Sequence, residues 1–400
     1  MMTRRQFVPS VLLASSAASG APQKPAGRSE FDYIDWSWEA WRNITHENRT
    51  QQATEQSGKA ELITLVPKTR DAWPERRESF AQVLNVFLGT QPGAKPALAP
   101  KVIEERSEDA YTRRKLLYQS EAGEWVPAYL LVPNKLRGRA PVVLCPHQTT
   151  QAGKDSPAGL ADDPHLHMAV HLVRRGYVSF TWDALCFGER HNPGSGHYGD
   201  SIPFYRKHPE WSLMSKMVWD LSRGIDYLET LDLVDPTRVG CIGHSHGAIT
   251  TLFAMAFESR IVAGVSNCGF DTFRIDGNVW RWSRATALLP RLGFYISSPY
   301  LTNSFYRAVP DSEVITTPFD MHQLLALIAP RALMLTTSDE DFVFPNGGWS
   351  ARLSLARLQP LYDLLGAGDR LASYYFNAGH SFPEGASSRA YAWLDRWLKP

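Results

Sequence analysis

Three kinds of residue that together perform acyl transfer occur in this chain in a usable order. Ser245 lies in Gly243-His244-Ser245-His246-Gly247, acids lie in Ser338-Asp339-Glu340-Asp341, and His380 lies in Asn377-Ala378-Gly379-His380-Ser381. A serine hydroxyl is a poor nucleophile near neutral pH and needs a base within hydrogen-bond reach. A histidine serves, provided that a carboxylate holds its other ring nitrogen in the right tautomer. The order serine, acid, histidine is one of the known chain orders for such a set. Asp341, Asp339 and Glu340 are the candidate acids.

The pentapeptide alone is a weak signal, since only three of its five positions are fixed and an ordinary Gly-rich turn satisfies it. Its surroundings strengthen it. Val239 to Ile242 is an apolar strand, and Ala248 to Phe257 has a helical pattern. A strand, a sharp turn and a helix would place Ser245 in a strained conformation at a helix N-terminus. The backbone N–H of His246 would then point at a developing oxyanion.

The elements that must carry these residues alternate. Thr69 to Leu88 has helical spacing and is closed by Gly89 and Pro92. Tyr111 to Tyr118 and Trp125 to Val132 read as an antiparallel hairpin. Pro141 to Cys145 and Tyr177 to Trp182 are short continuous apolar runs, as in strands buried on both faces. Helical patterns at Leu166 to Arg175, Trp211 to Leu231, His322 to Ile328, Ala351 to Leu365 and Ala390 to Leu398 alternate with strands at Ile261 to Ser266, Ala332 to Thr337 and Leu371 to Phe376. The expectation is an α/β chain with a doubly wound, mostly parallel sheet and an antiparallel start.

Residues 111–400 are expected to form the catalytic domain, with residues 27–110 as an N-terminal arm and helix packed on it. One stretch, about 270–318, breaks the alternation and reads as an inserted lid. Its Trp280 and Trp282 suit a core better than a sugar platform, and Asp271, Arg274 and Arg281 suit a solvated surface better than a substrate contact.

Composition bounds the function. The chain has 400 residues, 44% hydrophobic, with a formal net charge of +1, so nothing electrostatic points to nucleic acid or an anionic membrane. No apolar run reaches the roughly eighteen residues of a membrane span. Thr3-Arg4-Arg5-Gln6-Phe7, a mildly apolar stretch to Ala18, and Ser19-Gly20-Ala21 suggest a twin-arginine export signal over residues 1–26 and a periplasmic or secreted home. Export permits disulfides, but Cys145 and Cys241 sit in strand patterns as small core residues. No Cys-x-x-Cys occurs. His167 and His171, with His165 nearby, have a possible metal spacing, but no third ligand is evident and a polar helix face is the expectation. No metal and no cofactor is expected.

Three further stretches make the chain resemble the α/β-hydrolase superfamily, and within it the dienelactone-hydrolase-like and acetyl xylan esterase-like secreted bacterial hydrolases. Val142 to Thr150 resembles the strand and oxyanion loop, with Gln148 where glycine is common. Trp182-Asp183-Ala184-Leu185-Cys186-Phe187-Gly188-Glu189-Arg190 resembles an Asp-x-x-Gly-x-Gly-x-Arg loop, with Cys186 in place of the first glycine. Ser338 to Pro345 resembles the acid loop, with Ser338 at its usual glycine. The resemblance covers about residues 111–400. It implies an α/β-hydrolase fold and a serine esterase with Ser245 as nucleophile, His380 as base and Asp341 as acid. Its oxyanion hole would use N–H groups of His246 and of the Gln148–Thr149 turn. His147 and Gln148 could contact substrate or hold the loop. Acetylated carbohydrate is one implied substrate. Two alternatives stand beside it: a prolyl-oligopeptidase-like peptidase, and a non-catalytic binding protein on the same fold.

Overall fold

The computed structural model of the protein describes residues 65–91, 93–193, 195, 198–272, 288–289 and 320–399. The expected export signal, most of the arm, and Trp280, Trp282, Arg274 and Arg281 of the expected lid lie outside them.

The chain enters through α1 (Trp73–Leu88), which starts with proline in its first turn and stops at Gly89, whose φ of 75° only glycine adopts readily. Trp73, Phe80, Leu84, Phe87 and Leu88 are its buried residues, spaced as one helical face. β1 (Lys101–Ser107), β2 (Tyr111–Glu121) and β3 (Glu124–Pro133) follow, and then β4 (Ala140–Leu144). After them come α2 (Met168–Arg174), β5 (Val178–Trp182), α3 (Ser201–Lys207), α4 (Leu213–Leu228) and β6 (Val234–His244). The remainder is α5 (His246–Phe257), β7 (Ile261–Asn267), α6 (Met321–Ala326), β8 (Ala332–Ser338), α7 (Gly347–Leu364), β9 (Leu371–Phe376) and α8 (Glu384–Leu398).

Nine strands form one sheet in the order β1-β2-β3-β5-β4-β6-β7-β8-β9. β1, β2, β3 and β5 pair antiparallel, and β5 through β9 pair parallel. This is an α/β-hydrolase fold. One face is covered by α1, α4, α5, α6 and α7, through residues such as Phe80, Leu221, Leu252, Leu324 and Leu361. The other is covered by α2 and α8, through Met168, Leu172, Tyr391 and Leu394. β4, β5 and β8 are buried along their whole length, which is why they read as unbroken apolar runs.

Two elements were not expected. β1 is exposed at every residue, pairs only with β2, and guards the sheet edge with Lys101, Glu104, Glu105 and Arg106. α3 is a two-turn helix in a polar stretch.

The strand order places the site. From β4 the chain steps outward to β5, then returns to the other side of β4 as β6. A crevice opens at the carboxyl ends of strands where the order reverses. The loop after β4 and the turn after β6 meet there.

Candidate active site

β6 ends at His244 and α5 starts at His246, so Ser245 is the helix N-cap. Its φ of 54° and ψ of −119° are strained for any residue with a side chain. The flanking glycines are sterically required. A Cβ on Gly243 would lie 2.2 Å from the Gly247 carbonyl carbon, and one on Gly247 would lie 2.2 Å from the Pro146 carbonyl oxygen. The turn after β6 and the loop after β4 are therefore in backbone contact. In the first helical turn the His246 N–H has no intrahelical carbonyl to meet, and the helix dipole favours negative charge there.

Asp341 follows β8 and is buried. Its Oδ1 accepts from the Val343 and Phe344 amides at 2.8 and 3.0 Å. His380 Nδ1 donates to Oδ1 at 3.0 Å and to Oδ2 at 2.8 Å. Burial alone would raise this carboxyl, but the histidine and the two amides outweigh it and hold it below the usual range. Asp339, the rival acid, instead pairs with Arg352 through two bonds of 2.7 Å, and both side chains are exposed. Glu340 is exposed. With its Nδ1 held by Asp341, His380 keeps Nε2 for a further hydrogen bond. Ser245 Oγ makes no hydrogen bond among the described residues; bonds of this kind commonly tighten only when substrate binds.

His244 packs tilted against His380, with ring centroids 4.6 Å apart and planes at 42°. Its Nδ1 accepts from Asn267 Nδ2 at 2.7 Å. The amide orientation is fixed, since Asn267 Nδ2 also donates to the Ser381 carbonyl and Oδ1 accepts from Thr336 Oγ1. Burial, and then the neighbouring His380, push His244 down to about 3, so it is neutral at working pH. It packs the elbow and braces the His380 loop. Of the two histidines, only His380 bonds to the carboxylate.

Sequence reasoning passed over Cys268, just beyond β7. Its thiol donates to the Ser381 carbonyl at 3.6 Å, and burial and Asp341 both push its pKa up, so it stays protonated. Cys268, Asp341 and His380 are also the one group among the described residues with metal-ligand atoms gathered within 4.8 Å. Asp341 and His380 are already engaged with each other. His167 and His171 do not converge: His167 Nε2 meets the Ala161 carbonyl and His171 Nδ1 meets the Tyr391 hydroxyl. All four cysteines are free and buried.

On the other flank, His147 Nδ1 donates to the Gln148 carbonyl at 2.6 Å and Nε2 accepts from the Ala184 amide at 3.1 Å. The Gln148 side chain is buried and donates to Ser156 Oγ and Asp162 Oδ2 at 2.8 and 2.9 Å. Both side chains therefore hold the loop in shape, while Thr149 is exposed at its tip. His246 points its ring inward against Phe187 and Tyr198, at 5.4 and 5.9 Å. Burial, and then His147, push it down to about 3.

The Asp183 loop shows why its motif needs glycines. Asp183 accepts from the Lys154 and Glu189 amides at 2.8 and 3.0 Å. A Cβ on Gly153 or Gly188 would fall 2.2 or 2.1 Å from its Oδ1. Cys186 keeps the left-handed conformation of the glycine it replaces, at φ 80°. Burial alone would lower the Lys154 pKa, but Asp183 and Glu189 hold it above its ordinary value, so the buried ammonium stays charged.

The family model "Glucuronyl esterase, fungi" matches residues 156–366. The chain belongs to the glucuronyl esterase family. As a member it is a carboxylic ester hydrolase, and the peptidase and binding-module alternatives give way to that reading. "Putative hydrolase YtaP" of Bacillus subtilis (strain 168) is 26% identical over 329 residues, covering 81% of this chain and 99% of that protein. A "4-O-methyl-glucuronoyl methylesterase" of Phanerochaete carnosa (strain HHB-10118-sp) is 26% identical over 237 residues, which is 56% of this chain and 55% of that one. The chain thus spans about half the length of this fungal relative. The solved structure "Glucuronoyl Esterase from Solibacter usitatus" superposes with a TM-score of 0.63 at 20% identity, over 83% of this chain and 96% of that one. That likeness supports the shared fold.

Proposed function

We propose that this esterase cleaves carboxylic esters of carbohydrate through Ser245, His380 and Asp341. The observation that carries the reading is the Asp341–His380 pair, at 2.8 and 3.0 Å, following in chain order a strained serine at a helix N-terminus. In this mechanism His380 Nε2 takes the Ser245 proton as Oγ attacks the ester carbonyl. The oxyanion that forms meets the His246 N–H and an N–H of the Gln148–Thr149 turn; each such donor is worth about 2.7–4 kcal/mol. Collapse expels the alcohol with a proton from His380. Water, deprotonated by His380, then releases the acid from the acyl-enzyme and restores Ser245.

The substrate class rests on the relatives, one of which carries a uronoyl ester in its name, and on the likeness to acetyl xylan esterases. These differ in which half is sugar: in a uronoyl ester the sugar is the acyl group, and in an acetyl ester it is the leaving alcohol. We further propose that residues 1–26 direct export and that the protein works in the periplasm or outside the cell. Among the described residues no helix is long and apolar enough to cross a membrane.

The test is turnover of p-nitrophenyl acetate, of methyl glucuronate and of acetylated xylan by the chain lacking residues 1–26, beside Ser245→Ala. Loss of turnover and of fluorophosphonate labelling in a folded Ser245→Ala protein is the expected result. Undiminished turnover in that variant would overturn the triad.

A further inference from the structure

Beyond the Asp183 loop lies a cavity of about 230 Å³. The β2–β3 turn, the loop after β5, and α3 wall it. Ala128 of β3 pairs with Trp182 of β5, so the β2–β3 turn stands at the carboxyl end of β5, the same end of the sheet as Ser245. Phe187 lies against His246, the residue after the nucleophile, and Arg190, three residues on, already lines the cavity. One loop thus backs the elbow and walls the cavity.

The lining is polar and balanced. Glu121, Glu124 and Asp200 face Arg190, Lys207 and Lys216. Three carboxylates against three permanent cations give an anionic ligand no net attraction. The floor is fixed: Lys216 Nζ meets Glu121 Oε1 at 2.6 Å and Arg190 donates to Asp220 at 2.7 Å. The rim has hydrogen-bonding capacity to spare. Among the described residues, half-exposed Lys207 has one charged partner, Glu121 at 3.3 Å, for three N–H donors, and Glu124 meets only Arg190, through one oxygen at 3.1 Å. Phe204 adds an apolar wall. Fixed donors and acceptors side by side, with an apolar face and no net charge, are what a neutral polyol needs, since each hydroxyl both donates and accepts.

We propose that this cavity is a subsite for one neutral sugar ring of the glycan whose ester is cleaved at Ser245. It rests on the carbohydrate-ester reading above and extends it to a second point of contact, with Lys207 and Glu124 as the residues that bind sugar hydroxyls.

The test sets Lys207→Ala and Lys207→Arg against the wild type on acetylated xylotetraose and on p-nitrophenyl acetate. Lys207 lies on the rim, outside the triad and the oxyanion loop. Losing its hydrogen bond should raise KM for the oligosaccharide about tenfold. The kcat, and both constants for p-nitrophenyl acetate, should stay unchanged, and Lys207→Arg should restore most of the loss. Titration of xylotetraose into Ser245→Ala, with and without Lys207→Ala, reads binding without turnover and should show the same weakening. An equal effect on both esters, no effect on either, or no xylotetraose binding would overturn the subsite. If p-nitrophenyl acetate is hydrolysed but xylotetraose does not bind, the subsite fails while the ester hydrolase stands. If xylotetraose binds and Lys207→Ala weakens it while no ester is hydrolysed, the catalytic reading fails and the subsite stands.

Discussion

Two buried aspartates stand just beyond β5 and β8, and they are spent differently. Asp341 gives both oxygens to His380 and uses two amides only to hold itself still. Asp183 gives its oxygens to the amides of Lys154 and Glu189 and to the Lys154 ammonium, and touches no group of the proposed triad. The first carboxylate orients a histidine ring and the second ties two loops together. Burial and a strong partner are common to both, so neither feature by itself marks catalysis. The partner's own freedom to reach substrate does.

Predictions that would break this contrast begin with the largest. Asp341→Asn should lower kcat for p-nitrophenyl acetate by about 10⁴-fold with little change in melting temperature, because the histidine loses its tautomer. A fall below tenfold would mean that another group orients His380. Asp183→Asn should do the reverse. It leaves buried Lys154 with Glu189 and Asp155 as its remaining acidic partners, and should cost about 1–3 kcal/mol in urea unfolding while leaving kcat within about tenfold. Equal damage to both properties in both variants would erase the distinction.

Acid should act on a third set of groups. His244 and His246 stand near 3 in the fold against an ordinary 6.5. Between those values the unfolded chain binds protons that the folded chain refuses, so stability is full above pH 6.5 and falls as pH drops towards 3. The lowered carboxylates, Asp341 among them, act in the same direction at the acid end. Unfolding midpoints at pH 7 and pH 4.5 should differ clearly, and His244→Asn should narrow the gap. The smallest effect belongs to Asp339→Asn. Its exposed pair with Arg352 should change stability by at most about 1 kcal/mol and leave kcat unmoved.

Much of the fold was legible because β4, β5 and β8 are buried on both faces and therefore read as apolar runs. β1 was not, because a strand exposed on both faces carries no alternation, only charge. At the site, the Gly-x-Ser-x-Gly turn announces itself through its steric needs. Choosing Asp341 over Asp339 is a matter of geometry: the two lie two residues apart, and one turns inward to the Val343 and Phe344 amides while the other turns out to Arg352. Cys268 and Asn267 were invisible for a similar reason. Their partners, Ser381 and Thr336, come from other strands and loops, and no local spacing records that. The turn of Gln148 away from substrate is equally unreadable, since Ser156 and Asp162 draw it inward.

The contact between Gly247 and the Pro146 carbonyl bears on how this enzyme could diversify. A methyl group at either elbow glycine would strike backbone, which cannot swing aside as a flexible side chain can. The Ser245 turn and the loop after β4 are thus locked into one unit that mutation cannot adjust piecemeal. New substrate ranges must be sought in the outer loops, and a combinatorial library that randomises Gly243 or Gly247 would spend its members on proteins with no working centre.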